Sequence, residues 1–264
     1  MKVYLSNQST KITNEDAYAI AIACDWQMRR HAIGLWQLFP SQVRYLAEGV
    51  AAERGTAVIG FFDNADQAGD LGWHTEGPDG IQYGRVFTEP VLQAGGGILT
   101  GSEAAGGLSV CSVASHECLE LVFDPSCNRW ADNGSGALFA WECADPVESD
   151  SYPVTIPPQT LVSGAKQETI QATVSNFVLP AWFDPSAAEG TQLDYMSLCT
   201  APFEVRPTGY VVTMTDGTVS QTFGEQYPEW RKAMKSSELS RTARRRKETH
   251  RTIEGELRLL GGHL

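Results

Sequence analysis

The segment SVCSVASHECLELVF, residues 109–123, is the feature that most constrains the fold of this chain. Its length and apolar content predict a helix over residues 109–124. We expect this helix to end at Asp124, because the residue before a proline avoids helical backbone angles. A second helical pattern begins near Thr13 or Asn14, either of which can cap it. KVYLS before this helix and QVRYLA and TAVIGFFD after it predict strands. The opening order is thus strand, helix, strand and strand, and the chain is expected to be α+β.

The region between residues 64 and 107 is rich in glycine. Within it, only IQYGRVFTEPV has enough β-branched and aromatic residues to predict a strand. The rest is expected to be loop, and loops on a rigid scaffold are where functional sites tend to lie. His74 is expected in this loop region, from which it could approach such a site. After the central helix, NRWADNGSGALFAWEC predicts two strands joined by a turn at Asp132, Asn133 and Gly134.

The central helix carries His116, Glu117 and Glu120, which match the zinc-peptidase pattern HExxH except that a glutamate replaces the second histidine. Residues four apart share one face of a helix, so His116 and Glu120 can hold one metal ion. Glu117 lies about 100° further round the helix and could act as a general base on a water molecule. The alternative is an ordinary helix whose histidine is only hydrogen-bonded, since so short a pattern also occurs by chance.

A third metal ligand has to come from outside the helix. Asp124 is eight residues beyond His116, and the helical rise of about 12 Å is too large for a shared ion. Asp124 is therefore expected to bind backbone groups at the helix end. The loop after the predicted hairpin is expected to lie beside the helix, which makes Glu142 and Asp145 candidate ligands. Its acidic residues are Glu142, Asp145, Glu148 and Asp150.

Charge divides the chain into two parts, which we predict to be a body (residues 1–230) and a basic C-terminal arm (residues 231–264). The body has 10 Lys and Arg against 28 Asp and Glu, whereas the arm has 10 against 4. The arm is either a solvated tail or a segment that docks on an acidic surface. Its densest basic run is Arg244, Arg245, Arg246 and Lys247. No aromatic residue is interleaved there to stack on bases, so sequence-specific nucleic-acid binding is not expected.

Other motifs exclude several classes of function and location. The chain has no GxSxG motif, phosphate-binding loop or dinucleotide fingerprint. No apolar run approaches the roughly 20 residues of a membrane span, and the N-terminus does not resemble a secretory signal. We therefore expect a location in the cytoplasm or in a particle assembled there. The six scattered cysteines are expected to be free thiols, with a Cys127–Cys143 pair left open.

Four blocks of sequence, DNADQAGDLGWHTEGPDGIQYGRVF, ASHECLELVFDP, WECADPVESDSY and VSNFVLPAWFD, resemble a family of uncharacterised phage and bacterial proteins that has them in the same order. The resemblance covers roughly residues 1–215. It implies a zincin-like fold, in which the His-Glu helix packs against a mixed sheet, and it favours metal binding at His116 and Glu120. A carboxylate in place of the second imidazole suits one divalent metal, either zinc or the harder calcium or manganese. Metzincins carry HExxHxxGxxH, and this chain departs from that motif at Glu120 and lacks its glycine and third histidine.

This resemblance leaves two hypotheses for function. The first is a phage virion protein of the head, neck or tail, assembled in the host cytoplasm and bound to other virion proteins through the basic arm. The second is an active metallopeptidase in which His116 and Glu120 bind the metal and Glu117 is the general base. The degenerate motif favours the first hypothesis, although a virion enzyme would satisfy both.

Overall fold

A five-stranded mixed sheet forms one layer of this protein. The computed structural model describes residues 1–66, 69–77, 80–158, 168–229 and 231–232. The strands of the sheet are β1 (Lys2–Asn7), β2 (Gln42–Leu46), β3 (Ala57–Phe62), β4 (Gly72–Glu76) and β5 (Gln82–Phe87). Their order is β2-β1-β3-β5-β4, and β4 lies at an edge, antiparallel to β5, while the other pairs are parallel.

Helix α1 (Asn14–Gln27) follows β1 and begins at a reciprocal cap. The Thr13 hydroxyl accepts from the backbone N–H of Asp16, and the Asp16 carboxylate accepts from the backbone N–H of Thr13. The helix continues through a π-helical turn (Met28–Ala32) into α2 (Ile33–Trp36). The predicted opening order of strand, helix, strand and strand is therefore confirmed.

Helix α4 (Val110–Phe123) is the central element, and all of its residues are buried. It begins at Ser109, which exchanges side-chain to backbone hydrogen bonds with Ser112, and it ends at Asp124 as predicted. It packs on α1, on the β4 and β5 side of the sheet, and on a second, smaller sheet. A short helix, α3 (Thr88–Gln93), precedes it after β5. A helix buried on all sides places its polar residues inside the protein, where they need partners.

Two further antiparallel sheets cover the rest of the core. One pairs β8 (Ser151–Ile156) with β9 (Ile170–Ser175). The other has the order β11-β10-β7-β6 and consists of β6 (Trp130–Asp132), β7 (Leu138–Ala140), β10 (Tyr210–Thr215) and β11 (Thr218–Phe223). Strands β6 and β7 are the hairpin predicted from its turn residues. The protein is thus α+β, with several sheets around buried helices.

Strand β4 was not predicted, and the expectation that His74 lies in a loop was wrong. His74 is in the middle of β4 and pairs with Gly84 of β5. The strand is only five residues long and begins with a glycine, so its local signal is weak. Pairing with β5, which was predicted, supplies the hydrogen bonds that stabilise it.

The boundary of the predicted arm falls at a buried residue. The guanidinium of Arg231 donates a 2.7 Å hydrogen bond to Glu148 and lies over the ring of Tyr227. Arg231 therefore packs with the body. Residues 233–264, including Arg244, Arg245, Arg246 and Lys247, lie outside the described residues, and their role as a partner-binding segment stays a prediction.

Two further features bear on the sequence predictions. All six cysteines are buried thiols, so Cys127 and Cys143 are not joined to each other. Within the described ranges, none of the helices has the length and apolar character needed to cross a bilayer.

Candidate metal centre

His116 and Glu120 lie one turn apart on α4, and their side chains meet. The distance from His116 Nε2 to Glu120 Oε2 is 3.1 Å. Both side chains are buried, because α4 is covered on all sides. The i, i+4 spacing of the sequence therefore brings an imidazole nitrogen and a carboxylate oxygen to one point inside the protein.

Asp145 reaches the same point from the loop after β7. It begins a short 3-10 helix (Asp145–Val147), and its Oδ1 lies 3.3 Å from His116 Nε2. The other oxygen of Glu120, Oε1, accepts hydrogen bonds from the backbone N–H groups of Ala144 and Asp145, at 3.0 and 3.1 Å. These two hydrogen bonds hold the loop against the helix and orient Glu120 Oε2 toward His116.

The spacing of these atoms fits a metal ion. Ligand atoms of His116, Glu120 and Asp145 all lie within 4.8 Å of one another. Two ligands bound tetrahedrally at about 2.0–2.2 Å are about 3.3–3.6 Å apart, and the 3.1 and 3.3 Å measured here lie near the lower end of that range. One imidazole and two carboxylates are also ordinary ligands of divalent metals. This buried group could therefore hold a metal ion.

His74 and Glu117 form a second group beside the first. His74 Nδ1 lies 3.1 Å from Glu117 Oε2 and 3.7 Å from Glu120 Oε2, and these ligand atoms again lie within 4.8 Å of one another. The opposite ring nitrogen, His74 Nε2, faces Glu142 Oε2 at 3.6 Å. Of the two acidic residues predicted as ligands, Asp145 thus lies beside His116, whereas Glu142 lies beyond His74.

The remaining acidic residues of the predicted cluster lie in other interactions. Glu148 bonds to Arg231, and Asp150 lies 3.2 Å from the Nε of Arg206. Asp124 accepts from the backbone N–H of Arg129, as expected for a residue at a helix end. The acidic loop is therefore divided between the buried centre and two ion pairs with arginine.

The electrostatics of the centre are those of carboxylates packed around imidazoles. Burial by itself would lower the pKa of His116, but Glu120 and Asp145 raise it well above its ordinary value. The pKa of His74 is also raised, by Cys127, Glu117 and Glu142 against the effect of burial. Burial and Asp145 raise the pKa of Glu120. The carboxylates therefore favour the protonated form of both histidines, and a bound cation would displace those protons.

A cavity of about 220 Å³ reaches this centre from one side. His116 and Glu117 line it, together with Gly72, Tyr210 and the Arg231 side chain that pairs with Glu148. A small molecule or one side chain of a larger substrate could enter a space of this size. The cavity therefore gives access to the side of the centre where Glu117 lies.

Gly72 brings the backbone of β4 close to Glu117. A Cβ atom at this position would be 2.7 Å from Glu117 Oε1 and 3.0 Å from Val113 Cγ1. We expect Gly72→Ala to displace Glu117 and to lower the free energy of unfolding by about 1–3 kcal/mol, as overpacking does elsewhere. Urea denaturation would measure this loss.

Gly34→Ala is the matched control, because a Cβ atom at this helical position meets no heavy atom within 4 Å. Alanine should be neutral or slightly stabilising there. If Gly72→Ala were as stable as the wild-type protein, β4 would not be tightly packed on Glu117.

His74 is the member of this centre that sequence reasoning left in a loop. Its only local signal is its position between Trp73 and Thr75, two residues that favour strands. Comparisons with protein-family models, with curated proteins and with solved structures gave no match to this chain.

Proposed function

We propose that this protein is a metal-dependent hydrolase with a zincin-like fold, in which His116, Glu120 and Asp145 hold one divalent cation. The observation that carries the proposal is the convergence of these three buried side chains, 3.1 and 3.3 Å apart, beside a cavity. Packing of the His-Glu helix against a mixed sheet supports the zincin-like part. Imidazole and carboxylate ligands favour zinc or manganese over calcium, which takes about six to eight oxygens.

Glu117 is the candidate general base of this reaction. It lines the cavity, and its Oε2 lies within hydrogen-bond distance of His74 Nδ1, which fixes the orientation of the carboxylate. A divalent cation in the centre would supply a Lewis acid that polarises a carbonyl group and acidifies water. Glu117 would take the proton from the attacking water, and the partial match of His116, Glu117 and Glu120 to the zinc-peptidase pattern makes a peptide bond the candidate substrate.

Glu117→Gln tests the catalytic part of this proposal. An amide cannot accept the proton, so we expect hydrolysis of an unfolded protein substrate to fall by about 10²- to 10⁴-fold. Activity would be measured with zinc, manganese or calcium added to the purified protein. His116→Ala should lose the metal held with Glu120 and Asp145 and also the activity, whereas Glu103→Gln, on an exposed 3-10 turn, should lose neither.

The possible outcomes separate the parts of the proposal. Wild-type protein that binds metal without hydrolysing any substrate would have a structural metal only, as a virion structural protein could. Wild-type protein that binds no metal would contradict the whole proposal. Incorporation into a phage particle stays a separate prediction, which rests on the resemblance and on the basic segment after residue 231.

A further inference from the structure

Glu120 Oε2 belongs to both of the ligand groups described above. It lies 3.1 Å from His116 Nε2 on one side and 3.7 Å from His74 Nδ1 on the other. Two cations that share one oxygen, each at about 2.0–2.2 Å, lie at most about 4.4 Å apart. That limit includes the separation of about 3.5–4 Å in two-metal hydrolytic sites.

Buried carboxylates also lie on the His74 side of the centre. The centre contains four buried carboxylates and two histidines, namely Glu117, Glu120, Glu142, Asp145, His74 and His116. A cation held by His116, Glu120 and Asp145 leaves Glu117 and Glu142 beside the ring nitrogens of His74, at 3.1 and 3.6 Å. A second divalent cation there would offset their charge, and uncompensated charge is costly inside a protein.

The orientation of His74 agrees with a ligand role. Its Nε2 faces the Glu142 carboxylate at 3.6 Å, whereas its Nδ1 faces Glu117 and Glu120. Histidines that bind metals usually direct the other ring N–H at a carboxylate or a carbonyl group. In the tautomer with the proton on Nε2, the Nδ1 lone pair points toward the two glutamates. Glu142 then faces the protonated side of the His74 ring.

We infer that the centre is a two-cation site, with the second cation held by His74, Glu117 and Glu120, and with Glu120 shared between the two positions. This inference rests on the proposed function, because it takes the first cation to be held by His116, Glu120 and Asp145. In the two-cation form Glu117 binds the second cation through Oε2, and Oε1, beside Gly72 at the cavity, is the oxygen that would accept the proton.

Metal stoichiometry tests the inference without depending on activity. The purified protein would be stripped with a chelator, titrated with Mn²⁺ or Zn²⁺, desalted and subjected to elemental analysis. We expect two equivalents per chain for the wild-type protein and for the Glu103→Gln control. Glu117→Gln and His74→Gln should each retain one equivalent, because the first position keeps its three ligands.

Each other outcome is decisive. One equivalent in the wild-type protein would overturn the second position and leave the proposed function standing, whereas none would overturn both. Two equivalents in both Glu117→Gln and His74→Gln would also overturn the second position. Circular dichroism melts establish that each variant is folded. If His74→Gln does not fold, Glu117→Gln, which preserves the size and shape of the side chain, tests the second position by itself.

Discussion

Glu120→Gln is expected to remove nearly all bound divalent metal from the protein. Glu120 Oε1 accepts from the backbone N–H groups of Ala144 and Asp145, and a glutamine would keep its carbonyl oxygen there. Its NH₂ group would then take the place of Oε2, beside His116 and His74. An amide N–H is a donor and cannot bind a cation. We expect the affinity for Mn²⁺ or Zn²⁺ to fall by more than about 100-fold, since changes outside the ligand set already cost about 10- to 100-fold.

Titration calorimetry and elemental analysis would measure this loss, with Glu103→Gln as the control that removes a carboxylate from an exposed turn. Glu120→Gln is nearly isosteric and removes a buried charge, so the variant should remain folded. Retention of the full metal content by this variant would show that Glu120 is not a ligand. Both the proposed function and the two-cation inference would then have to be abandoned.

Removal of metal by a chelator is expected to lower the melting temperature of the wild-type protein. A cation that binds only the folded protein stabilises it by about 2.7 kcal/mol when its free concentration is 100 times its Kd. For a domain of this size, that energy corresponds to roughly 5–10 °C for each bound ion. His116→Ala should lose the part of this change in melting temperature that comes from the cation held by His116, Glu120 and Asp145. Identical melting temperatures with metal and with chelator would contradict the prediction.

The difference between the melting temperatures of the wild-type protein with metal and with chelator should widen as pH rises. In the metal-free protein, the pKa values of His116 and His74 are raised. Their stabilising effect is complete below the ordinary histidine pKa of about 6.5 and is lost as pH rises through the raised values. Metal binding needs neutral imidazoles, so its contribution grows over the same range. Differential scanning calorimetry at a series of pH values would measure both trends.

Helix α4, which carries His116, Glu117 and Glu120, could be predicted because its sequence signals are local. Ser109 and Ser112 cap it, Pro125 stops it, and the spacing of His116 and Glu120 brings their side chains together within one turn. The position of the acidic loop beside the helix was also predictable in part, because the loop leaves a hairpin that directly follows the helix. These interactions depend on residues that are near one another along the chain.

Only the tertiary structure decided that His74 joins the centre and that Asp145, and not Glu142, lies beside His116. His74 is 42 residues before His116, and it reaches Glu117 only because β4 pairs with β5 in the register that sets His74 opposite Gly84. Asp145 lies beside His116, and Glu142 does not, because the short 3-10 turn that begins at Asp145 is hydrogen-bonded to Glu120 through the backbone N–H of Asp145. Sequence determined the helix and its ligand pair, because caps and i, i+4 contacts act within one turn. Sheet register and loop docking determined the rest, because they are set by burial and backbone pairing across the whole core.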